Sequence, residues 1–175
     1  MMTLNYKELL HDIHTFIFDY DGVLTTGEVF ILPNGEALRG GYVKDGYALQ
    51  HALKNGYRIA IISGGKSDSM IHRLNMLKIK DYFLGVSDKL ATFREYIAKE
   101  GINPRHVLYM GDDIPDYEVM KEVGVPCCPS DAAEEIKAIS VYISHREGGK
   151  GCVRDIIEQV LRLHGKWMNG NAFYW

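Results

Sequence analysis

The sequence has few cysteines, no long apolar run and no large excess of either charge. Its three cysteines, Cys127, Cys128 and Cys152, lack the Cys-x-x-Cys spacing of zinc sites, which argues against a disulfide framework and structural zinc. The net charge of −3 gives no electrostatic reason to expect a nucleic acid or a membrane surface as partner. No apolar run approaches the roughly 20 residues that span a bilayer, and no signal-peptide pattern opens the chain. We therefore expect a cytoplasmic protein with reduced thiols.

Short runs of strand-forming residues alternate along the chain with stretches of helical periodicity. Runs such as HTFIFDY, YRIAIISG and HVLYMGD are separated by segments in which apolar residues recur three and four positions apart. This alternation predicts βαβ units, and hence an α/β fold with a doubly wound, Rossmann-like parallel sheet. A chain of 175 residues fits a single domain, which we predict over residues 1–165.

Two segments depart from this alternation. Residues 25–43 contain Pro33-Asn34-Gly35 between two short runs, which predicts a β-hairpin inserted after the first strand. Residues 166–175 form a tail rich in glycine and asparagine whose aromatic side chains are Trp167, Phe173, Tyr174 and Trp175. Because aromatic residues are scarce in disordered segments, we expect this tail to dock against a folded surface.

Carboxylates and phosphate-binding groups follow the predicted strands. In an open α/β sheet, the ligand site lies beyond the carboxyl ends of the strands. The residues at or just after those ends are Asp19, Asp21, Ser63, Gly64, Lys89, Asp112, Asp113 and Asp116. Carboxylates gathered on one rim would repel each other unless a hard divalent cation lay among them, and oxygen ligands suit Mg²⁺. The sequence therefore predicts a magnesium site.

The same rim carries groups suited to phosphoryl transfer. Ser63 and the glycine amides after it can donate to phosphate oxygens, and Lys89 can neutralise developing charge. Asp19 and Asp21 project to the same side of an extended chain, so one can attack phosphorus while the other transfers protons. Each motif alone also fits a plainer role, such as a helix cap or a surface lysine. The order of all four along the chain favours catalysis.

Three other functions compete with this interpretation. The stretch ISGGKS resembles a P-loop, but the required glycine is Ala60 here, so that possibility fails. A phospho-accepting signalling domain also carries acids, a hydroxyl and a lysine on one rim, but it is phosphorylated after a later strand than the one that precedes Asp19. A non-catalytic interaction module is disfavoured because the acids are intact at every motif.

The four motifs together resemble those of the haloacid dehalogenase superfamily of phosphatases. The matching residues are Asp19-Tyr20-Asp21-Gly22, Ser63, Lys89 and Gly111-Asp112-Asp113-Ile114-Pro115-Asp116. The resemblance implies that Asp19 is the nucleophile and forms an aspartyl phosphate. It implies that Asp21 protonates the leaving alcohol and then activates water. Ser63, Gly64 and Lys89 would hold the phosphoryl group.

The resemblance also implies how the cation is bound. Mg²⁺ would be ligated by Asp19, the backbone carbonyl of Asp21, and Asp112. Asp113 and Asp116 are the further acids of the last motif and would have supporting roles.

Nearly the whole chain resembles the capless branch of this superfamily that dephosphorylates sugar acids such as 3-deoxy-D-manno-octulosonate 8-phosphate, a precursor in lipopolysaccharide sugar biosynthesis. The supporting stretches are DGVLTTGEVFILPNGEALRGGYVKDGYALQHAL, GDDIPDYEVMKEVG and GGKGCVRDIIEQVL. The gaps between Asp21, Ser63 and Lys89 leave no room for a cap domain, so a neighbouring subunit or the tail would have to close the site. The resemblance implies a homotetramer with its hairpins packed centrally.

Two positions depart from the pattern of that branch. Lys44 stands where an arginine is usual, and Gly65 stands where the octulosonate phosphatases carry arginine. Because a side chain at position 65 could contact the sugar and select it, a nonulosonate 9-phosphate remains an alternative substrate. Arg73 matches a basic position of the branch, and we hypothesise that it binds the sugar-acid carboxylate across a subunit interface. Its plainer interpretation is an exposed helix arginine.

Overall fold

A computed structural model describes residues 5–175, so the first four residues of the predicted domain lie outside the described residues. Helices and strands alternate along most of this length, as the sequence predicts. In chain order they are α1 (Tyr6–Leu9), β1 (Thr15–Phe18), β2 (Phe30–Ile31), β3 (Ala37–Leu38), α2 (Val43–Lys54), β4 (Arg58–Ser63), α3 (Asp68–Met76), β5 (Asp81–Leu84), α4 (Lys89–Glu100), β6 (Val107–Met110), α5 (Tyr117–Met120), β7 (Val125–Cys128), α6 (Glu134–Ile139), β8 (Tyr142–Ile143) and α7 (Cys152–Leu163). Among the described residues, no helix is long and apolar enough to cross a membrane.

Within residues 5–175, six parallel strands form the central sheet, in the order β5-β4-β1-β6-β7-β8. The first strand lies in the middle, where Phe18 is in register with Ile61 of β4 on one side and with Met110 of β6 on the other. The sheet strands that follow β1 in the chain, β4 and β5, lie on one side of it, and the later strands β6, β7 and β8 lie on the other side. The strand order therefore reverses between β1 and β6. The predicted doubly wound sheet is confirmed.

Helices cover both faces of this sheet, because successive side chains of a strand point to opposite faces. Phe16 and Phe18 of β1 pack into a cluster with residues of α2, α3 and α7, whereas Ile17 packs into a second cluster with residues of α4, α5 and α6. All four residues of β1 are buried. A central strand that is apolar on both faces is typical of a parallel sheet enclosed by helices.

The predicted hairpin lies between β1 and α2. Its strands β2 and β3 pair antiparallel, with Phe30 opposite Leu38 and Ile31 opposite Ala37. The turn closes through a hydrogen bond of 2.8 Å from the Gly35 amide to the Leu32 carbonyl. The hairpin forms a separate two-stranded sheet. The described chain inserts nothing larger at this point, so the fold has no cap domain there.

The aromatic tail folds back along α2. Trp167 is buried, and its ring packs edge-on against Tyr47 and His51, with centroids 6.0 and 5.5 Å away. The Tyr47 hydroxyl donates a hydrogen bond to the Ala172 carbonyl. Trp175 stacks near the same tyrosine but is 65% exposed. The tail is therefore docked on a helix face, and none of its residues lines the cavity at the strand ends.

Candidate active site

Asp19 follows the last residue of the central strand. Its amide donates to the Met110 carbonyl at 3.0 Å, so the ladder between β1 and β6 continues to this residue. The side chain is 7% exposed, and its Oδ1 accepts a hydrogen bond of 2.7 Å from the Tyr20 amide. Burial, followed by the charge of Asp116, raises the pKa of Asp19 to about 7, although Lys89 opposes the shift. The carboxylate is thus held in one orientation at the rim.

Lys89 bridges two carboxylates from different strands. Asp88 caps α4 by accepting a hydrogen bond of 2.9 Å from the Ala91 amide, which fixes the start of the helix and places Lys89 in its first turn. The buried ammonium lies 3.0 Å from Asp19 Oδ2 and 2.8 Å from Asp116 Oδ1. Burial lowers its pKa, but the charges of Asp116 and Asp19 outweigh burial, and the net pKa is raised. The two carboxylates therefore favour the charged form of Lys89.

Asp116 is fully buried, and both of its carboxylate oxygens accept hydrogen bonds. Its Oδ1 accepts a hydrogen bond of 2.6 Å from the Tyr109 hydroxyl, and its Oδ2 accepts one of 3.2 Å from the Asp112 amide. Gly111 makes this possible, because a Cβ there would lie only 2.4 Å from the Asp116 Cβ. Asp116 therefore holds Lys89 and the loop that carries Asp112 in place.

Asp112 has one carboxylate oxygen without a partner. Its Oδ1 is buried and makes no hydrogen bond with any described residue. Burial, followed by the charges of Asp19 and Asp116, raises the pKa of Asp112 to about 8. Position 22 must be glycine, because a Cβ there would lie 2.0 Å from Asp112 Oδ2 and the backbone φ of Gly22 is +85°. A buried, orphaned acid facing a backbone without side chains indicates room for a bound group.

These carboxylates fit a magnesium ion. Asp19, Asp112 and Asp116 each offer one oxygen, and the three oxygens lie within 4.8 Å of one another. An all-oxygen donor set with few carboxylates is what Mg²⁺ prefers. Both oxygens of Asp116 accept hydrogen bonds, whereas Asp112 Oδ1 has no hydrogen-bond partner among the described residues. The resemblance implies Asp19 and Asp112 as the side-chain ligands of the ion. The side chain of Asp21 is not part of the group, in keeping with the backbone role implied by the resemblance.

Asp21 faces the hairpin. Arg39 Nε lies 2.7 Å from its Oδ1 and 3.0 Å from its Oδ2. The Thr25 hydroxyl donates to Asp21 Oδ1 at 3.3 Å and accepts a hydrogen bond of 3.1 Å from the Gly27 amide. Thr25 is buried. These contacts tie the partly exposed side chain of Asp21 to the hairpin and to the loop after β1.

Ser63 ends β4 at the neighbouring position of the rim. It is fully buried, its carbonyl accepts a hydrogen bond of 3.0 Å from the Val86 amide, and its hydroxyl accepts one of 3.1 Å from the Gly65 amide. A Cβ on Gly64 would meet only the Val86 carbonyl at 3.6 Å, so Gly64 is not required by packing. The hydroxyl and the glycine backbone line the open cavity.

One cavity of about 730 Å³ joins these elements. Most of the residues predicted from the motifs line it: Asp19, Asp21, Ser63, Gly64, Lys89, Asp112, Asp113 and Asp116. Asp113 lies at its exposed lip, where its side chain accepts a hydrogen bond of 2.8 Å from the Ile114 amide. The cavity size suits a small molecule.

Two predicted substrate-binding residues do not line this cavity. Arg73 is half-buried and donates a hydrogen bond of 3.3 Å from Nη2 to the Tyr42 carbonyl, which ties α3 to the end of the hairpin segment. Lys44 is exposed and lines a second cavity of about 470 Å³ with Lys150 and Arg154. Within one described chain, neither residue reaches the phosphate-binding rim.

Three residues that shape the site carry no motif signal. Arg39 comes from the hairpin, Thr25 from the loop after β1, and Tyr109 from the interior of β6. Tyr109 is a fully buried tyrosine, and a polar group in the middle of an apolar strand is a signal that a partner must exist. Arg39 is followed by Gly40-Gly41 and gives no such signal.

Comparison with known proteins places this geometry in a family. The family model described as haloacid dehalogenase-like hydrolase matches residues 43–129. The 3-deoxy-D-manno-octulosonate 8-phosphate phosphatase of Salmonella typhi is 36% identical over 155 residues, which is 89% of this chain and 82% of that protein. The chain belongs to the haloacid dehalogenase-like hydrolase family.

Solved structures of this hydrolase family superimpose closely on the chain. The 3-deoxy-D-manno-octulosonate 8-phosphate phosphatase of Yersinia pestis gives a TM-score of 0.90 at 31% identity, covering 93% of this chain and 88% of that one. The corresponding phosphatase of Moraxella catarrhalis, described as a complex with magnesium, phosphate and a KDO molecule, gives 0.88 at 32% identity, covering 91% of this hydrolase and 92% of that chain. The predicted family and fold are confirmed.

Proposed function

We propose that this chain is a Mg²⁺-dependent phosphomonoesterase that hydrolyses 3-deoxy-D-manno-octulosonate 8-phosphate to the free sugar acid and phosphate. The observation that carries the proposal is the buried cluster of Asp19, Lys89, Asp116 and Asp112 at the end of the central strand, opening with Ser63 into one cavity. The substrate follows from the Salmonella and Yersinia relatives, whose names specify it. The free sugar acid would enter lipopolysaccharide biosynthesis.

In the first half of the reaction, a carboxylate oxygen of Asp19 bonds to phosphorus and the bond from phosphorus to the sugar oxygen breaks. Asp21 gives its proton to that departing oxygen. Ser63 and the amides after it donate hydrogen bonds to the phosphoryl oxygens, and Lys89 balances their charge. The product of this half is the free sugar acid and an aspartyl phosphate.

In the second half, Asp21 takes a proton from water as the water oxygen bonds to phosphorus. The bond between phosphorus and Asp19 then breaks and releases phosphate. Lys89 stays charged throughout, because its two carboxylate partners raise its pKa. A bound Mg²⁺ supplies positive charge that lets the anionic phosphate approach an anionic carboxylate. Asp113 supports the lip of the site, and Asp116 holds Lys89.

We propose that the active enzyme is a homotetramer in the cytoplasm. The hairpin exposes large apolar side chains, with Phe30 and Ile31 64% and 67% exposed, and such a surface favours association with other copies of the chain. Three free, buried cysteines fit a reducing compartment. No partner other than the small phosphorylated sugar acid and further copies of the chain is proposed.

The cavity of one chain carries little positive charge for a sugar-acid carboxylate. Its lip includes Asp88, Asp113 and Glu118, and Lys89 is already paired. We therefore propose that Arg73, and secondarily Lys44, bind the carboxylate at the site of a neighbouring subunit. An unchanged kcat/KM for the sugar-acid phosphate in Arg73→Ala would contradict this assignment.

Phosphate release from a panel of keto-sugar-acid phosphates, with Mg²⁺ and with a chelator, tests the function. We expect many turnovers per site with the eight-carbon octulosonate phosphate and none in chelator. Faster turnover of a nonulosonate 9-phosphate would select the alternative substrate, which Gly65 favours. Retention of one phosphate per chain without turnover would indicate a signalling domain instead. No Mg²⁺-dependent release from any of these compounds would overturn the substrate class.

A further inference from the structure

Arg39 links the hairpin to the acid that transfers protons. It follows β3 directly, and its side chain is 8% exposed, which is unusual for an arginine on a hairpin. Its Nε contacts both oxygens of Asp21, at 2.7 and 3.0 Å. Its Nη1 donates to the Ala37 carbonyl and to Ser67 Oγ, each at 3.4 Å. The guanidinium is therefore held on one side by the hairpin and on the other by the start of α3.

Gly65 provides the space that this arrangement needs. A Cβ at position 65 would lie 2.8 Å from Asp21 Oδ2 and 3.0 Å from Arg39 Nη2. The backbone φ of Gly65 is not in the left-handed region, so conformation is not the reason for a glycine here. A side chain at this position would have to displace either the carboxylate or the guanidinium. Arg39 and Gly65 are thus complementary around Asp21.

We infer that Arg39 is a positioning residue that holds the Asp21 carboxylate toward the leaving group, and that Gly65 is present because Arg39 occupies the space beside it. The inference rests on the proposed function. The single Nε–H of Arg39 is shared by the two carboxylate oxygens, and this charge-assisted contact, together with the Thr25 hydroxyl on Oδ1, restricts the rotation of Asp21. The hairpin is thereby a part of the proton-transfer apparatus of its own chain.

The dependence on the leaving group tests this role with the Mg²⁺-loaded enzyme. An alkyl phosphate such as the sugar-acid substrate needs a proton at the departing oxygen, whereas p-nitrophenyl phosphate releases a stable phenolate without one. We expect Arg39→Ala to lower kcat/KM for the sugar-acid phosphate by roughly 10–100-fold, since general acid catalysis is worth about 10²–10⁴. For p-nitrophenyl phosphate we expect a change of less than about threefold, because a general acid contributes little there.

Two further single variants, one double variant and one control variant sharpen the comparison. Arg39→Lys keeps the charge but cannot contact Asp21 and bind Ala37 and Ser67 with separate nitrogens, so its loss should lie between those of the wild type and Arg39→Ala. Gly65→Ala should show the same selective loss, because it displaces the pair. The double variant Arg39→Ala, Gly65→Ala should lose no more than Arg39→Ala alone, since both changes act on one contact. Arg94→Ala, which removes an exposed arginine paired with Glu122, is the matched control and should leave both activities unchanged.

The outcomes separate this inference from the proposed function. An equal loss on both phosphates would mean that Arg39 only supports the fold, and additive losses in the double variant would mean that Gly65 acts independently. Either result overturns the inference. If the wild type releases no phosphate from any sugar-acid phosphate, the proposed function itself fails. In that case p-nitrophenyl phosphate and a simple alkyl phosphate still measure the leaving-group dependence.

Discussion

Replacing Asp19 with asparagine removes the proposed nucleophile and almost preserves its shape. We expect Asp19→Asn to lower phosphate release by a factor on the order of 10⁴ or more, because a positioned nucleophile acts together with its proton-transfer partner. Phosphate release with saturating Mg²⁺ and sugar-acid phosphate measures the effect. Asp12→Asn, at an exposed aspartate before β1, is the control and should retain full activity. An active Asp19→Asn enzyme would exclude the mechanism.

Tyr109 offers a test of how strongly the buried network supports the site. Its hydroxyl donates a hydrogen bond of 2.6 Å to Asp116. Outside the site, the Tyr96 hydroxyl donates a hydrogen bond of the same length, 2.6 Å, to Asp81. Each Tyr→Phe change should reduce the free energy of unfolding by about 1–2 kcal/mol. Only Tyr109→Phe should also reduce kcat/KM, by roughly 10–100-fold, because it loosens the partner of Lys89.

Urea unfolding and steady-state kinetics on these two tyrosine variants give the comparison. If Tyr96→Phe lost as much activity as Tyr109→Phe, the effect would be one of general stability. If neither variant lost activity, Asp116 would hold Lys89 without help from the hydroxyl.

The hairpin of β2 and β3 is the element on which the proposed assembly depends. Ile31→Glu places a charge in its most exposed apolar surface and should shift the protein to a smaller species in sedimentation velocity, since burying an unpaired charge in an interface is costly. Ile143→Glu, at an exposed isoleucine of the edge strand β8, is the matched control and should leave the assembly unchanged. Equal sedimentation of Ile31→Glu and wild type would remove the hairpin from the interface.

Elements that depend on local pattern could be predicted from the sequence. Asp19, Ser63 and Asp112 lie at the ends of β1, β4 and β6, and parallel strands bring such ends to one edge of a sheet. Their meeting in one cavity thus follows from periodicity and strand order alone. The hairpin followed from its turn residues for the same reason.

Contacts that depend on tertiary packing could not be predicted in this way. The partner of Arg39 lies 18 positions earlier in the chain, and no period connects the two. In the stretch Lys44-Asp45-Gly46, the acid is the buried residue: Asp45 Oδ1 accepts a hydrogen bond of 2.8 Å from the Arg154 amide and caps α7, while Lys44 faces solvent. Which of two neighbours on a helix is buried depends on how α2 and α7 pack, and sequence spacing does not specify that.

The whole molecule should respond to pH through its acidic centre. The pKa of Asp19 is raised to about 7 and that of Asp112 to about 8, from 3.8. Between pH 3.8 and these raised pKa values, the folded protein binds more protons than the unfolded chain. The free energy of unfolding therefore decreases as pH rises through this interval. In chelator, we expect the free energy of unfolding of the wild type, minus that of Asp112→Asn, to decrease as pH rises from about 4 to about 8.

Mg²⁺ should reverse this dependence, because the ion binds the ionised carboxylates that the metal-free protein disfavours. The apparent affinity for Mg²⁺, measured by calorimetry or by the shift in Tm, is therefore expected to increase with pH over the same interval. A Mg²⁺ affinity that does not vary with pH would show that these carboxylates do not bind the ion.

The central position of β1 also has a consequence for synthesis of the chain. This apolar strand is made first, yet its partners Arg58–Ser63 and Val107–Met110 are made later. At ribosomal speeds of about 5–20 residues per second, β1 waits roughly ten seconds or so for its second neighbour. Until Val107–Met110 is made, Phe16, Ile17 and Phe18 can pair only on the β4 side, so one edge of this apolar strand stays uncovered in the nascent chain.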